Sequence, residues 1–259
     1  MDFLRHNSIA WDKKVEEKSM YTQPVSSEIV EESKSGKWKI YVVPNIPVPR
    51  EWFPKSLKGI NILCLASGGG QQAPVLAAAG ANVTVLDMSK MQLEQDRKVA
   101  ERDGLSIKIL HGDMSDLSRF EDEYFDIVVH PVSNLFVENI LPVWGGISRI
   151  LKNKGVLIAG FTNPLLWLFD EKQERKGTLE VKHSIPSSTL DRMAEEEIEE
   201  YINSGRAIEF AHTLEDQIQG QIDAGFVITG FYESDLSGVN LVDKYAKTFI
   251  ATRAIKLRV

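Results

Sequence analysis

The sequence predicts an α/β fold built on a mainly parallel, doubly wound sheet, and three observations carry that reading. Apolar runs at 60–65, 82–86, 107–110, 124–130 and 156–160 have the length of buried strands, and helical stretches separate most of them. The first two runs enclose Gly68-Gly69-Gly70 and a short helix, giving a strand, glycine loop, helix and strand in succession. Two runs also lead into acids, Asp87 and Asp113, at the carboxyl ends of strands, where open α/β sheets bind ligands.

Taken in order, residues 1–57 precede the core. The first 35 are polar, with Trp11, Val15, Met20 and Tyr21 as large apolar anchors and a helix expected over 9–19. Such a stretch is either a solvated extension or a flap over a site, and Trp11 and Tyr21 are the residues that would make it a flap. Prolines at 44, 47, 49 and 54 make 37–54 an extended connector with at most an edge strand at 38–43. The core runs over 58–160. After its first strand, Pro74 is tolerated in the first helical turn and Gly80 suits a left-handed C-terminal cap. The second strand ends at Asp87, and Ser89 with Gln92 forms a capping pair for a helix to about Arg102, stopped by Gly104. A third strand runs into His111-Gly112-Asp113-Met114, a fourth ends at His130, and a helix over 142–151 leads through a 152–155 turn to the fifth.

The loop can hold the polar part of a nucleotide-like ligand on its amides and the following helix N-terminus. Asp87, nearly twenty residues on, is placed to accept from ribose hydroxyls. Two ligands remain open from that motif. Gly68-x-Gly70-x-x-Ala73 fits the dinucleotide fingerprint, which would make the protein an NAD(P)-dependent oxidoreductase. Ala66-Ser67-Gly68-Gly69-Gly70 looks like a degraded methyltransferase loop.

With the later segments included, the chain resembles the class I S-adenosylmethionine-dependent methyltransferases over roughly 59–160 and the C-terminal end. Residues 62–70 match the family's first motif and Asp87 its ribose acid, while His111-Gly112-Asp113-Met114 matches the adenine-holding segment. Phe125-Asp126-Ile127-Val128 and Ile150-Leu151-Lys152-Asn153-Lys154-Gly155 match the fourth strand and the turn into the fifth. Cys64 stands where the family usually has an acid near the methionine amino group, and Ala66 where it usually has glycine. Those two departures give a non-catalytic donor-binding protein as a further alternative. The resemblance implies a Rossmann-like sheet with an antiparallel C-terminal strand and S-adenosyl-L-methionine as methyl donor. The donor-site residues it implies are Ala66, Ser67, Gly68, Gly70, Asp87, Met88, Asp113, Met114 and His130.

Residues 161–211 have the texture of a lid insertion: an apolar cluster at 165–169, a charge run at 170–176, and an acidic helix over 189–201 with a capping pair at Ser188 and Asp191. Extended segments at 178–184 and 206–212 suggest a hairpin within it. The last stretch, 212–259, completes the core with a Thr213/Asp216-capped helix to Gly225 and two strands, 226–232 and 248–255.

Thirty Lys and Arg against 37 Asp and Glu give a net charge of -7, which argues against a broad nucleic-acid or anionic-membrane footprint and favours a small-molecule acceptor. No apolar stretch has signal-peptide or membrane-spanning length, so a cytoplasmic location is expected. Cys64 is the single cysteine, which excludes an internal disulfide, and no His/Cys spacing suggests a metal. Oligomeric state is left open. On the acceptor side, His130, His183 and His212 lie at predicted strand ends and are the candidate catalytic residues, expected to converge beneath the lid, because histidine can take a proton near neutral pH.

Overall fold

A computed structural model describes residues Met1 to Leu257; Arg258 and Val259, the end of the predicted 212–259 segment, lie outside the described residues. Two helices come first, α1 (Phe3–Glu16) and α2 (Ser27–Lys34). The core then alternates β1 (Asn61–Leu65), α3 (Gln72–Ala78), β2 (Asn82–Asp87), α4 (Lys90–Asp103), β3 (Ile107–His111), β4 (Phe125–His130), α5 (Leu141–Ile150) and β5 (Leu151–Thr162). The chain continues through α6 (Glu171–Glu174), β6 (Ser187–Ser188), α7 (Glu195–Asn203) and β7 (Phe210–Ala211), and ends with α8 (Gly220–Asp223), β8 (Phe226–Ser234) and β9 (Phe249–Lys256).

Seven strands form one sheet in the order β3-β2-β1-β4-β5-β9-β8, and β6 pairs with β7 apart from it. Strands β1 to β5 pair with one another in parallel, whereas β9 is antiparallel to both β5 and β8. The order reverses between β1 and β4, and a crevice opens at such a switch point outside the strands' carboxyl ends. The continuous apolar runs are explained by burial on both faces. Ile62, Cys64, Val85, Ile127 and Val129 pack into one core with Val75 and Leu76 of α3, while Leu63, Leu65, Val128 and Leu157 pack into another with Trp144 and Ile147 of α5. Alternation with period two sends successive residues to opposite cores, so a one-residue slip would exchange two complete sets of contacts. That fixes where β1 and β4 end, and with them the position of the loops above.

The Thr213 and Asp216 pair forms reciprocally, whereas the Ser89 and Gln92 pair forms only by half, because Ser89 N donates to Asp87 Oδ1 instead of to Gln92. Ser89 Oγ accepts from Gln92 N at 3.1 Å, and Gly104, at φ 64°, ends α4. Thr213 Oγ1 donates to Asp216 Oδ2 at 2.7 Å and accepts from Asp216 N at 3.0 Å. The turn it starts is a π-helix over Glu215–Gln219 before α8, in place of one continuous α-helix.

The structure differs from expectation in three further places. No strand forms at 38–43; instead Val42 O accepts from Val132 N at 3.0 Å as this segment crosses β5, and a Cβ on Gly160 would stand 1.9 Å from that carbonyl oxygen. Strand β5 starts at Leu151, paired with Phe125 across an irregularity in register, so the expected 152–155 turn lies within a strand. In the 161–211 segment, 206–212 does contribute β7, but its partner is Ser187–Ser188; residues 178–184 supply only the single bridge from Val181 to Phe169. Ser188 and Asp191 bond reciprocally as expected, but the turn they start is a short 3-10 helix and α7 begins at Glu195.

Candidate active site

A cleft of about 2300 Å³ opens over the switch point. Its floor is the loop after β1. Ala66 leaves the strand at φ 46°, in the left-handed region that favours glycine, with its N–H on Leu86 O at 2.8 Å. Gly68 N donates to Asp87 Oδ2 at 2.9 Å, and a Cβ at Gly68 would lie 3.1 Å from the Asp87 carboxyl and 2.8 Å from Gln92 Cβ. The glycine lets loop and acid meet. Asp87 Oδ1 also accepts from Ser89 N at 2.9 Å, so the carboxylate is fixed by two amides while lining the cleft. Burial holds its pKa above the usual carboxylate range, against those two hydrogen bonds.

Beneath the loop lies a group the sequence reading missed. Asp96 of α4 is fully buried, accepts from Gly69 N at 3.0 Å, and burial pushes its pKa up to about 8. Its Oδ1 and the buried Oε1 of Gln92 have no hydrogen-bond partner among the described residues. A signal existed: Gln92, Leu93, Asp96, Val99 and Ala100 form the buried stripe of α4, so an acid at helical spacing among apolar residues marks an anchor.

Residues 1–57 form the near wall. Ser8 Oγ donates to Met88 O at 2.8 Å, Asp12 Oδ1 accepts from Ser89 Oγ at 2.6 Å and Met91 N at 3.0 Å, and Trp11 packs edge-on against Phe136 at 5.2 Å. Val25 N donates to Gly70 O at 2.9 Å, and Gln71 Nε2 bonds Tyr21 O and Gln23 O at 3.3 and 3.1 Å. This wall packs on the donor loop and α4, and Trp11 and Tyr21, the residues that a flap would use, line the cleft.

Among the expected donor-site residues, Ala66, Ser67, Gly68, Asp87, Met88 and Met114 line the cleft, and Gly70, Asp113 and His130 do not. Gly70 lies under Pro24. Asp113 turns its carboxylate to Ser115, accepting from the N–H at 3.0 Å and from the hydroxyl. Cys64 is buried in the core, where desolvation pushes its thiol pKa far up.

The three histidines do not converge. His130 is fully buried beside Trp144, donates from Nδ1 to Leu65 O at 3.0 Å, and is lowered by burial to a pKa of about 4. His212 is buried and donates from Nε2 to Asn134 O at 3.1 Å. Each satisfies a backbone carbonyl below the floor, a demand that a strand-end position does not reveal. His183 alone of the three lines the cleft.

A family model described as "Methyltransferase domain" matches residues 63–159. An uncharacterized methyltransferase of Bacillus subtilis, YbaJ, is 54% identical over 98% of this chain and 98% of its own length. The glycine/sarcosine/dimethylglycine N-methyltransferase of Actinopolyspora halophila is 28% identical, over 62% of this chain and 31% of that protein. The crystal structure of an S-adenosylmethionine-dependent methyltransferase from Mesorhizobium loti shares the fold, with a TM-score of 0.61 at 17% identity, covering 80% of this chain and 94% of that one.

Proposed function

Since the chain belongs to the class I S-adenosylmethionine-dependent methyltransferases, we propose that it methylates a small molecule held in the cleft, with residues 161–211 acting as a lid over it. The observation that carries this reading is the cleft's continuity: the same wall runs from Asp87 and Met88 at the donor loop to Trp167, Arg192 and Glu209 of the 161–211 segment. The family's donor replaces the nicotinamide cofactor that the glycine spacing also admitted, and catalysis replaces the non-catalytic alternative.

The residues present fit the donor. Each Asp87 oxygen accepts one amide and retains capacity for a further donor, which suits two ribose hydroxyls. Met88 and Met114 offer apolar surface for a base beside it. In place of an acid at Cys64, neutral oxygens stand near the loop: Ser67 Oγ donates to Gln72 Oε1 at 3.0 Å, and Gln72 Nε2 donates to Tyr41 O at 2.9 Å, all on the cleft wall. We assign these to the methionine end.

When bound, S-adenosylmethionine supplies a methyl on a sulfonium: the acceptor's lone pair bonds to that carbon, the carbon–sulfur bond breaks with its electron pair kept by sulfur, and S-adenosylhomocysteine remains. The chain's task is to align and desolvate, which can supply much of the acceleration. An acceptor that must lose a proton can pass it to His183, whose pKa is lowered by burial and then by Lys182 and Arg192, so the ring is neutral at pH 7. A cytoplasmic location is part of the proposal; no helix among the described residues is long and apolar enough to cross a membrane.

The test is to incubate the protein with isotopically labelled donor and cell extract and to follow the label. Mass spectrometry should find it in a dialysable molecule other than the donor and its breakdown products. Label confined to protein or nucleic acid would remove the small-molecule reading.

A further inference from the structure

Resting on that reading, we propose that the acceptor is amphoteric: an apolar small molecule bearing both an amine and a carboxylate, its amine held by Glu209 and its carboxylate by Lys14 and Arg192.

The three charged side chains all line the cleft, from α1, from the 161–211 lid and from the edge of β7. They are close enough for Glu209 to feel both cations, yet none makes an ion pair within 4.0 Å among the described residues. The Glu209 carboxylate accepts no side-chain or backbone hydrogen bond there, although its own backbone is tied to Thr189. The Lys14 ammonium makes no hydrogen bond among the described residues; it sits 4.2 Å over Trp11 and 5.8 Å from the Phe136 ring centroid, with Glu209 and Glu17 near enough to act on its charge. Arg192 stacks at 4.5 Å on Trp167, and its hydrogen bonds go to neutral oxygens of Ser187 and Thr189.

Unpaired charges drawn out of water are unfavourable, and burial shifts all three pKa values toward the neutral form, Glu209 up and Lys14 and Arg192 down. If their purpose were to tie the lid to α1, direct contact would serve better than separation. Held apart on the cleft wall, they present a carboxylate within the influence of two cations, with Glu171 also acting on Glu209 and Arg192, and a guest with the complementary charges relieves all three at once. A plain anion would face Glu209, and a plain cation would face Lys14 and Arg192, so the set selects against both. Trp11 and Trp167 supply apolar walls beside the charges and belong to the same cluster as Met88 of the donor site. A guest seated on them therefore lies next to the donor pocket.

A matched trio of probes tests this on the full chain saturated with S-adenosylhomocysteine: L-tryptophan, tryptamine and indole-3-propionate, measured by calorimetry. L-Tryptophan should bind at least tenfold more tightly than either singly charged analogue. Glu209→Gln should bring it down to the level of indole-3-propionate, and Lys14→Met to that of tryptamine, with S-adenosylhomocysteine bound normally in both variants. Equal binding of the three, no binding of any, or a ranking unmoved by both substitutions would overturn the proposal. Failure of wild-type protein to bind S-adenosylhomocysteine would instead strike the donor-site reading on which it rests, and with it this proposal.

Discussion

Asp87 is a structural group, and the proposed function makes the same carboxylate a binding group as well. Its two amide bonds, from Gly68 and Ser89, fix the loop against α4, and its position on the cleft leaves lone pairs for ribose. Removing one partner of charge-assisted hydrogen bonds costs about 1.5–3 kcal/mol, so Asp87→Ala should weaken S-adenosylhomocysteine binding by roughly ten- to a hundredfold. An unchanged dissociation constant by calorimetry would refute the ribose role. Asp113 is a sharper case, because the family motif points to adenine while its carboxylate is occupied by Ser115. Asp113→Asn should therefore reduce affinity much less than Asp87→Ala does. A loss equal to that of Asp87→Ala would show that Asp113 turns to the ligand on binding. Gln72 links Ser67 to the carbonyl of Tyr41, and in the proposed function it is the neutral counterpart of the missing acid. Gln72→Leu should lower affinity for S-adenosylhomocysteine while barely affecting adenosine, which lacks the methionine part; equal losses for both would place Gln72 elsewhere.

At the scale of elements, the crossing of residues 38–43 over β5 depends on one missing Cβ. Gly160 faces the Val42 carbonyl so closely that any side chain must displace backbone, and the same segment carries Tyr41 to the donor loop. Overpacking typically costs about 1–3 kcal/mol, more where backbone must move. Gly160→Ala should therefore lower the chemical-denaturation midpoint by an amount corresponding to about 3 kcal/mol, and weaken donor binding with it. A wild-type midpoint would show that the crossing is not rigid. This contact was invisible in the sequence, where Gly160 reads as the end of an apolar run, because it joins residues more than a hundred positions apart. What could be read was local or periodic. Ser89 with Gln92, and Thr213 with Asp216, are three residues apart and each supplies a hydroxyl cap; the five core strands announced themselves as apolar runs, the central ones covered on both faces and β3 at the sheet edge only partly buried. The pairing of Ser187–Ser188 with Phe210–Ala211 was not legible, since two-residue strands leave no pattern. Nor was the charge set at the acceptor end, except that Glu209 interrupts the apolar run Ala207-Ile208-Glu209-Phe210-Ala211, the kind of break that a site produces.

For the molecule as a whole, two buried groups on either side of the sheet's carboxyl edge set opposite limbs of the stability curve. Asp96, pushed up to about 8, binds a proton in the folded state that the unfolded chain releases near pH 4. Its contribution to stability is full below pH 4 and is lost as pH rises through 8. His130, lowered to about 4, is neutral when folded, whereas the unfolded chain takes up a proton below about pH 6.5. Its contribution is full above pH 6.5 and is lost as pH falls through 4. Between pH 4 and 6.5 the two nearly cancel; from 6.5 to 8 Asp96 acts alone, with a slope of at most about 1.4 kcal/mol per pH unit for one proton. Stability should therefore decline from pH 6.5 to 8, although most carboxylates are already ionised there. Asp96→Asn should flatten that decline, because asparagine can still accept from Gly69 N without a charge to bury. His130→Gln, which can still donate to the Leu65 carbonyl, should remove the compensation between pH 4 and 6.5, so that the Asp96 decline begins near pH 4, and should leave the slope from 6.5 to 8 alone. The measurement is the midpoint of urea unfolding at intervals from pH 4 to 9 for the three proteins. An alkaline decline that persists unchanged in Asp96→Asn would mean that the proton beneath the glycine loop is absent at neutral pH, and that the loop rests on a buried carboxylate anion.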